Sequence, residues 1–238
     1  MPTKAIVIKK QNTNEYDQLV TCYTEDFGKL TAIAKSILKP NSVQALHLDV
    51  LNLVEFDLIN GRGIPIITGA QAINSYPDIK DSLAKTAVAY FFTEVMDKMV
   101  FENDKDGQLW SFWVSFLDGL NKYDSNPNLR PMSLLREGQI KLLDILGYFP
   151  ETDSCRSCED KLGESNFGAF NHALGGVICK RCFLSGLGGI LISNEDFGLM
   201  RRSDNFAGEN YRRSILDGMF EYVSGGKFYS LELLAVVK

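Results

Sequence analysis

The sequence predicts an α+β chain of more than one domain, in which a small N-terminal β-barrel precedes an α-helical domain with a four-cysteine insert. Three observations predict this. Residues 4–74 hold short β-branched runs separated by turn residues, without strand–helix alternation. From Ile79 onward, apolar residues recur at every third or fourth position over long stretches. Between two of those stretches stand Cys155-x2-Cys158 and, twenty residues on, Cys179-x2-Cys182.

The composition sets the frame. The 238 residues are 45% hydrophobic and 23% charged, close to the globular norm of roughly 45–50% apolar and about 25% charged. Disorder and a membrane protein are therefore not indicated. No apolar run approaches the roughly 18 residues of a bilayer span. The stretch Ala5–Ile8 is shorter than the apolar region of about 7–15 residues in a signal peptide, so a cytoplasmic protein is expected. A net charge of −5 excludes a surface that is basic all over, while leaving room for one basic face.

Each element can be justified in order. Ala5-Ile6-Val7-Ile8 reads as a first strand and Gln18–Glu25 as a second. Asp26-Phe27-Gly28 then turns the chain into Lys29–Lys35. A long strand is expected over His47–Ile59, where Val50, Val54, Phe56 and Leu58 alternate with Asp49, Glu55 and Asp57. Asn60-Gly61 signals a hairpin, because both residues tolerate positive φ, and Ile64–Ile73 returns. Five such strands suggest an OB-fold, and an SH3-like barrel fits the strand count nearly as well. Beyond Pro77-Asp78, Leu83, Ala87, Phe91, Val95 and Met99 mark one face of a helix. A second, aromatic-rich helix covers Leu109–Leu120, and its Trp110, Phe112, Trp113 and Phe116 read as core. A third covers Leu134–Leu146 and stops at Gly147, with Asn126-Pro127 interrupting before it. Ser193–Arg202 opens with a Ser-x-x-Asp start, and Tyr211–Val223 forms a late helix. The expected domains are residues 1–78 (barrel), 79–150 (helices), 151–184 (cysteine insert) and 185–238 (helices).

In a cytosolic chain, paired cysteines point to metal or redox chemistry rather than to disulfides. A C-x2-C knuckle sets two thiolates on one side of a turn, and two knuckles supply a tetrahedron. Zn²⁺ fills that arrangement, and four protein ligands leave no open position, so the expected role of Cys155, Cys158, Cys179 and Cys182 is one structural zinc. Cys22, in an alternating β-branched run, reads as a small apolar core residue. His172 is surplus to a full ligand set, and His47 stands alone. No catalytic constellation is present: Gly61-Arg62-Gly63 lacks the residues of a phosphate loop, and the acidic pairs are solvated turn residues. The barrel segment carries Lys9, Lys10, Lys29, Lys35, Lys39 and Arg62, which can line one phosphate-tracking face with Tyr16, Tyr23 and Phe27 available for stacking. The competing reading is an ordinary solvated barrel.

Several runs resemble the bacterial recombination mediator family RecO. They are Ala5–Lys9, Asn14–Thr21, Thr24–Leu30, Ala32–Lys35, Val54–Leu58 with Gly61-Arg62-Gly63, Ile140–Pro150 leading into the first knuckle, and Phe228–Leu234. The resemblance implies an OB-fold, a helical domain with an inserted zinc knuckle, and no enzymatic activity. It implies binding of single- and double-stranded DNA, strand annealing, and help in replacing single-strand-binding protein with recombinase at the nucleoid. The implied partners are RecR, the acidic C-terminal tail of single-strand-binding protein, and indirectly RecA. Arg136 matches the arginine that faces the tail peptide in that family. The chain departs from the pattern after Lys35, where Ser36-Ile37-Leu38-Lys39-Pro40 keeps one cation in place of a basic cluster. Two rival functions stay open: a protein-only adaptor, and a zinc-containing accessory module of a nucleic-acid enzyme.

Overall fold

The computed structural model describes residues 2–59, 63–122, 131–201 and 211–236. The chain forms two compact units, Met1–Asn126 and Pro127–Lys238.

In the first unit, β1 (Pro2–Asn12), β2 (Gln18–Thr24), β3 (Gly28–Ala34), β4 (Leu53–Ile59) and β5 (Ile66–Asn74) close into a barrel of order β1-β2-β3-β5-β4. Strands β1, β2 and β3 meander, β5 joins β3 in parallel, and β4 returns antiparallel to β1. This order is that of an OB-fold, and with it the SH3-like alternative lapses. The barrel interior holds Ala5, Val7, Val20, Cys22, Leu30, Ala32, Val54, Phe56 and Ile67. Cys22 is one of these fully buried apolar residues, as expected.

One expected strand is shorter than the alternation suggested. Residues Gln44–His47 form a helical turn, α1, and β4 begins only at Leu53. Between them Leu51 sits at φ +72, and the Asn52 side-chain amide donates to the carbonyls of Leu46 and His47, which closes the turn before the strand can start. The Asn60-Gly61 hairpin and the Asn126-Pro127 interruption lie outside the described residues.

Helices α2 (Pro77–Lys80), α3 (Leu83–Met99) and α4 (Gly107–Asn121) complete the unit. Asp81-Ser82 separates the first two, where Ser82 turns extended and its hydroxyl accepts from Lys85 N–H. Asp106 caps α4 by accepting from the N–H groups of Gln108 and Leu109. Trp113, Phe92 and Phe112 are buried at the α3–α4 contact, so the aromatic stripe is core.

In the second unit, α5 (Pro131–Ile145) precedes a three-stranded sheet of order β7-β6-β8, built from β6 (Phe167–Asn171), β7 (Gly176–Cys179) and β8 (Ile190–Leu191). The second knuckle continues from β7 into a short helix, α6 (Lys180–Cys182). Helices α7 (Asn194–Met200), α8 (Ile215–Ser224) and α9 (Tyr229–Val236) follow. Ser193 forms a capping box with Asp196 at α7, and at α8 the Asp217 carboxylate accepts from Ser214 N–H at 2.9 Å. The latter starts α8 at Ile215 and leaves 211–214 outside the helix. Among the described residues no helix is long and apolar enough to cross a membrane.

Candidate nucleic-acid interface and metal centre

The outward face of β2 and β3 is where an OB barrel usually meets oligonucleotides. Half of it is covered from within the unit. The Tyr23 hydroxyl donates to the Asp106 carbonyl and accepts the Asp106 N–H, both at 3.2 Å, and its ring lies 6.4 Å from Trp110. Lys29 is buried, and its ammonium donates to the carbonyls of Asp97 (2.6 Å), Val100 (2.7 Å) and Met96 (3.4 Å). It thus satisfies the bare carbonyls at the C-terminal end of α3. Burial lowers its pKa, partly opposed by Asp97 and Glu102. Gly28, at φ +67, lets residues 102–105 pass against β3: a Cβ there would stand 2.2 Å from the Asp104 carbonyl oxygen.

The opposite end of that face is open, and it carries a stitched double loop. The Asn14 side-chain oxygen accepts from the N–H groups of Tyr16 and Asp17, an Asx turn. Asp17 then accepts from Ser36 N–H at 2.6 Å, and Leu38 N–H donates to the Tyr16 carbonyl at 3.0 Å. Ser36 holds φ +57 to make that geometry. The Ser36 N–H, then the Asn14 amide, hold the Asp17 carboxyl below its ordinary value, with Lys35 and Lys39 helping against slight desolvation. On this base the Tyr16 ring is half exposed, the Lys39 ammonium lies 5.3 Å from its centroid, and Lys35 is exposed beside it. Among the described residues neither lysine makes an ion pair.

The remaining expected contacts are placed differently. Lys9 pairs with Asp97 at 3.1 Å, and Lys10 with Asp49 at 2.9 Å. Partial burial works to raise the Asp49 pKa, but Lys10 and Lys80 hold it low. Arg62 lies outside the described residues. Of the three aromatics, Tyr23 is fully buried and Phe27 packs on the barrel core, so Tyr16 alone offers a free ring face. The Asn14–Asp17 brace was missed in the sequence, although Asn-x-x-Asp in a loop is a turn signature.

The four cysteines of the second unit converge. Their Sγ atoms all lie within 4.8 Å of one another, and Cys158 Sγ stands 3.8 Å from Cys179 Sγ. A tetrahedron with metal–sulfur bonds of about 2.3 Å has edges of about 3.8 Å, so the donor set fits one thiophilic ion. Backbone N–H groups point at sulfur: Cys179 N–H donates to Cys155 Sγ at 3.3 Å, and Cys182 N–H to Cys179 Sγ at 3.5 Å. Burial raises the Cys155 thiol, but N–H groups of Cys158, Cys179 and Ser157 outweigh it and bring the pKa to about 6, favouring the ligating thiolate. Gly168 lets the second knuckle close, since a Cβ there would meet the Lys180 backbone at 2.9 Å. His172 lies outside this cluster, stacked on Tyr222.

Arg136 is buried, with 1% exposure. Its guanidinium donates to Asp217 Oδ1 (2.7 Å), to Gln139 Oε1 (2.6 Å) and to the Arg212 carbonyl. Gln139 and Tyr211 also donate to Asp217, at 2.7 and 3.0 Å. Burial and the Asp217 charge raise the Tyr211 pKa, which keeps its hydroxyl a donor. The i, i+3 pair Arg136/Gln139 was visible in the sequence, whereas its carboxylate partner 81 residues away was not.

Comparison with known proteins agrees with these features. The family model for the N-terminal part of recombination protein O matches residues 1–76, and that for its C-terminal part matches residues 80–219. The DNA repair protein RecO of Acetivibrio thermocellus is 28% identical over 81% of this chain and 74% of its own length. The DNA repair protein RecO of a Dehalococcoides mccartyi strain is 33% identical over 76% of this chain and 69% of its own. With a five-stranded barrel, a following helical region and a cysteine cluster in the matching order, the chain belongs to the RecO family of DNA repair proteins.

Proposed function

We propose that this chain is a non-enzymatic recombination mediator of the nucleoid, which binds DNA, anneals complementary strands and helps load recombinase onto DNA coated with single-strand-binding protein. The observation that carries the reading is the Tyr16–Lys39–Lys35 platform, at the end of the barrel face that the helices leave open. A base can stack on Tyr16 while the two ammonium groups pair with flanking phosphates. Lys9 and Lys10 would join only by exchanging Asp97 and Asp49 for phosphate, and Arg62 is a further phosphate contact in this reading. Lys29 serves the helix end in this reading. Among the described residues the expected barrel face keeps only Lys35 and Lys39 outside ion pairs and buried contacts, which on a chain of net charge −5 implies weak DNA binding alone and stronger binding beside a partner.

The partners in this reading are RecR, the acidic tail of single-strand-binding protein and, indirectly, RecA. Arg136 is already neutralised by Asp217, so a tail peptide would reach it only by displacing that carboxylate. The metal is proposed to be one zinc ion held by Cys155, Cys158, Cys179 and Cys182, with a structural role that fixes the knuckles to the small sheet.

The test is fluorescence anisotropy with single-stranded DNA across a salt series. Log affinity should fall against log salt with a slope of about −0.7 per phosphate neutralised. Lys35→Glu with Lys39→Glu should abolish most of the binding while the fold persists, and Lys29 is left intact because reversing it would disrupt α3. Full binding by the double variant would move the DNA face away from this platform, and wild-type protein without salt-dependent binding would favour the protein-only adaptor. Metal-dependent strand cleavage would favour the enzyme module.

A further inference from the structure

The second unit contains a cleft of about 430 Å³, within the range of about 300–1,000 Å³ usual for small-ligand sites. Tyr148, Phe149, Phe170, His172, Met219 and Tyr222 line it. Its walls are the segment after α5, the β6–β7 hairpin and the exposed side of α8. The His172 ring stacks on Tyr222 at 4.5 Å and 18°, and meets Phe170 edge-on at 4.9 Å. Burial lowers the His172 pKa, so its ring is neutral near pH 7. Tyr148 and Tyr222 are each about half exposed, leaving aromatic faces open to solvent. Among the described residues lining the cleft, none carries a full charge.

One cation borders it. Arg156, next to the ligand Cys155, is fixed to the hairpin: its N–H donates to the Val177 carbonyl at 3.0 Å, and its Nε to the Leu174 carbonyl at 3.1 Å. Gly176 permits this passage, since a Cβ there would stand 2.8 Å from Arg156 Cγ. The side chain remains exposed beside Gly175, which also lines the cleft. A neutral aromatic cavity with a guanidinium beside it suits a flat uncharged ring joined to an anion. It suits an acidic peptide poorly, because several carboxylates would face uncharged lining rings.

We propose that this cleft takes one unstacked base of single-stranded DNA, with Arg156 on a flanking phosphate. The proposal rests on the mediator reading for its ligand class, and it adds to that reading a second strand contact on the unit that lacks the barrel. A protein that anneals must hold two strands, and stacking on aromatic rings accepts any base.

The full-length protein is irradiated with an oligothymidylate in which one thymine is replaced by photoreactive 5-iodouracil, and the adducts are mapped by peptide mass. Adducts on Tyr148, His172 or Tyr222 are expected. Tyr148→Leu with Tyr222→Leu should lower their yield about five- to tenfold, the effect of losing a base–aromatic stack. Tyr222→Phe should keep them. Wild-type adducts confined to the barrel would overturn the cleft and leave the barrel reading standing, whatever the variants do. Absence of any salt-dependent binding would overturn both. Protection of the cleft rings by an acidic, phenylalanine-ended peptide but not by DNA would assign it to a protein partner, and would also overturn the proposal.

Discussion

The first unit closes its barrel over Ala5, Val7, Val20, Leu30, Ala32, Val54 and Phe56, side chains with no polar atoms to satisfy. The second unit buries an arginine, an aspartate and a glutamine together and gathers four thiols at the edge of a small sheet. An apolar interior degrades gradually, because neighbours relax into whatever is removed. Buried ions and metal ligands fail abruptly, since taking one partner leaves the others unpaired in a poor solvent for charge. Unfolding of the two units should therefore respond to different agents, and each perturbation below is chosen to separate them or to show that they are not separable.

Metal removal should have the largest effect. The β6–β7 strands bury Phe167, Ala169, Phe170, Val177 and Ile178, whereas the two knuckles are joined to each other through the four thiols, so the knuckles' structure would depend on an ion held there. Chelator, or Cys179→Ser, should release one equivalent of metal and collapse the signals of residues 151–191 while barrel amides keep their protection from hydrogen exchange. An unchanged second unit in metal-free protein would erase the contrast. The next largest effect belongs to Arg136. Arg136→Met strands Asp217 and Gln139 and should cost about 3–5 kcal/mol, whereas Arg136→Met with Asp217→Leu should recover much of that loss. Denaturant melts of the single and double variants measure it. Equal loss in both would mean that Arg136 acts through packing.

These two features were unequally legible in the sequence. Cys-x2-Cys spacing is local chemistry, and so are the strands and helix faces whose periodicity spells their burial. The Arg136 cluster depends on Asp217, which in sequence looks like an ordinary capping residue, and indeed it caps α8 at the same time. Lys29 was unreadable for a similar reason. It sits among exposed lysines in the sequence, yet its neighbours in space are carbonyls of a helix that begins more than fifty residues later. Alternation placed the strands, but no periodicity tells which outward residues a later helix will cover.

Lys29 offers a middle-sized test within the apolar unit. Lys29→Met keeps the stem and removes the donor, leaving the carbonyls of Asp97 and Val100 without it. The expected cost is about 1.5–3 kcal/mol, the usual worth of hydrogen bonds to a charged group. It should appear as a lower melting temperature with little change in DNA affinity per folded molecule. A loss of affinity larger than the loss of folded protein would return Lys29 to the DNA face.

The smallest effect belongs to the loop brace at Asp17, where the first unit uses a polar device of its own. Asp17→Ala removes the acceptor for Ser36 N–H and leaves the Leu38 N–H bond to the Tyr16 carbonyl as the remaining brace between the two loops, while the barrel core is untouched. Single-strand affinity should fall only a few-fold, because Lys35 and Lys39 keep their charges and lose their fixed position beside Tyr16. Acid should imitate the variant. The Asp17 pKa is lower in the folded protein than its ordinary 3.8, so the brace contributes fully above about pH 4. That contribution is lost as the pH falls through the depressed value, a shift readable in the Ser36 amide resonance. If that resonance titrates instead at or above the ordinary value, Asp17 is no acceptor in solution. The platform would then rest on the Leu38 N–H bond to the Tyr16 carbonyl alone.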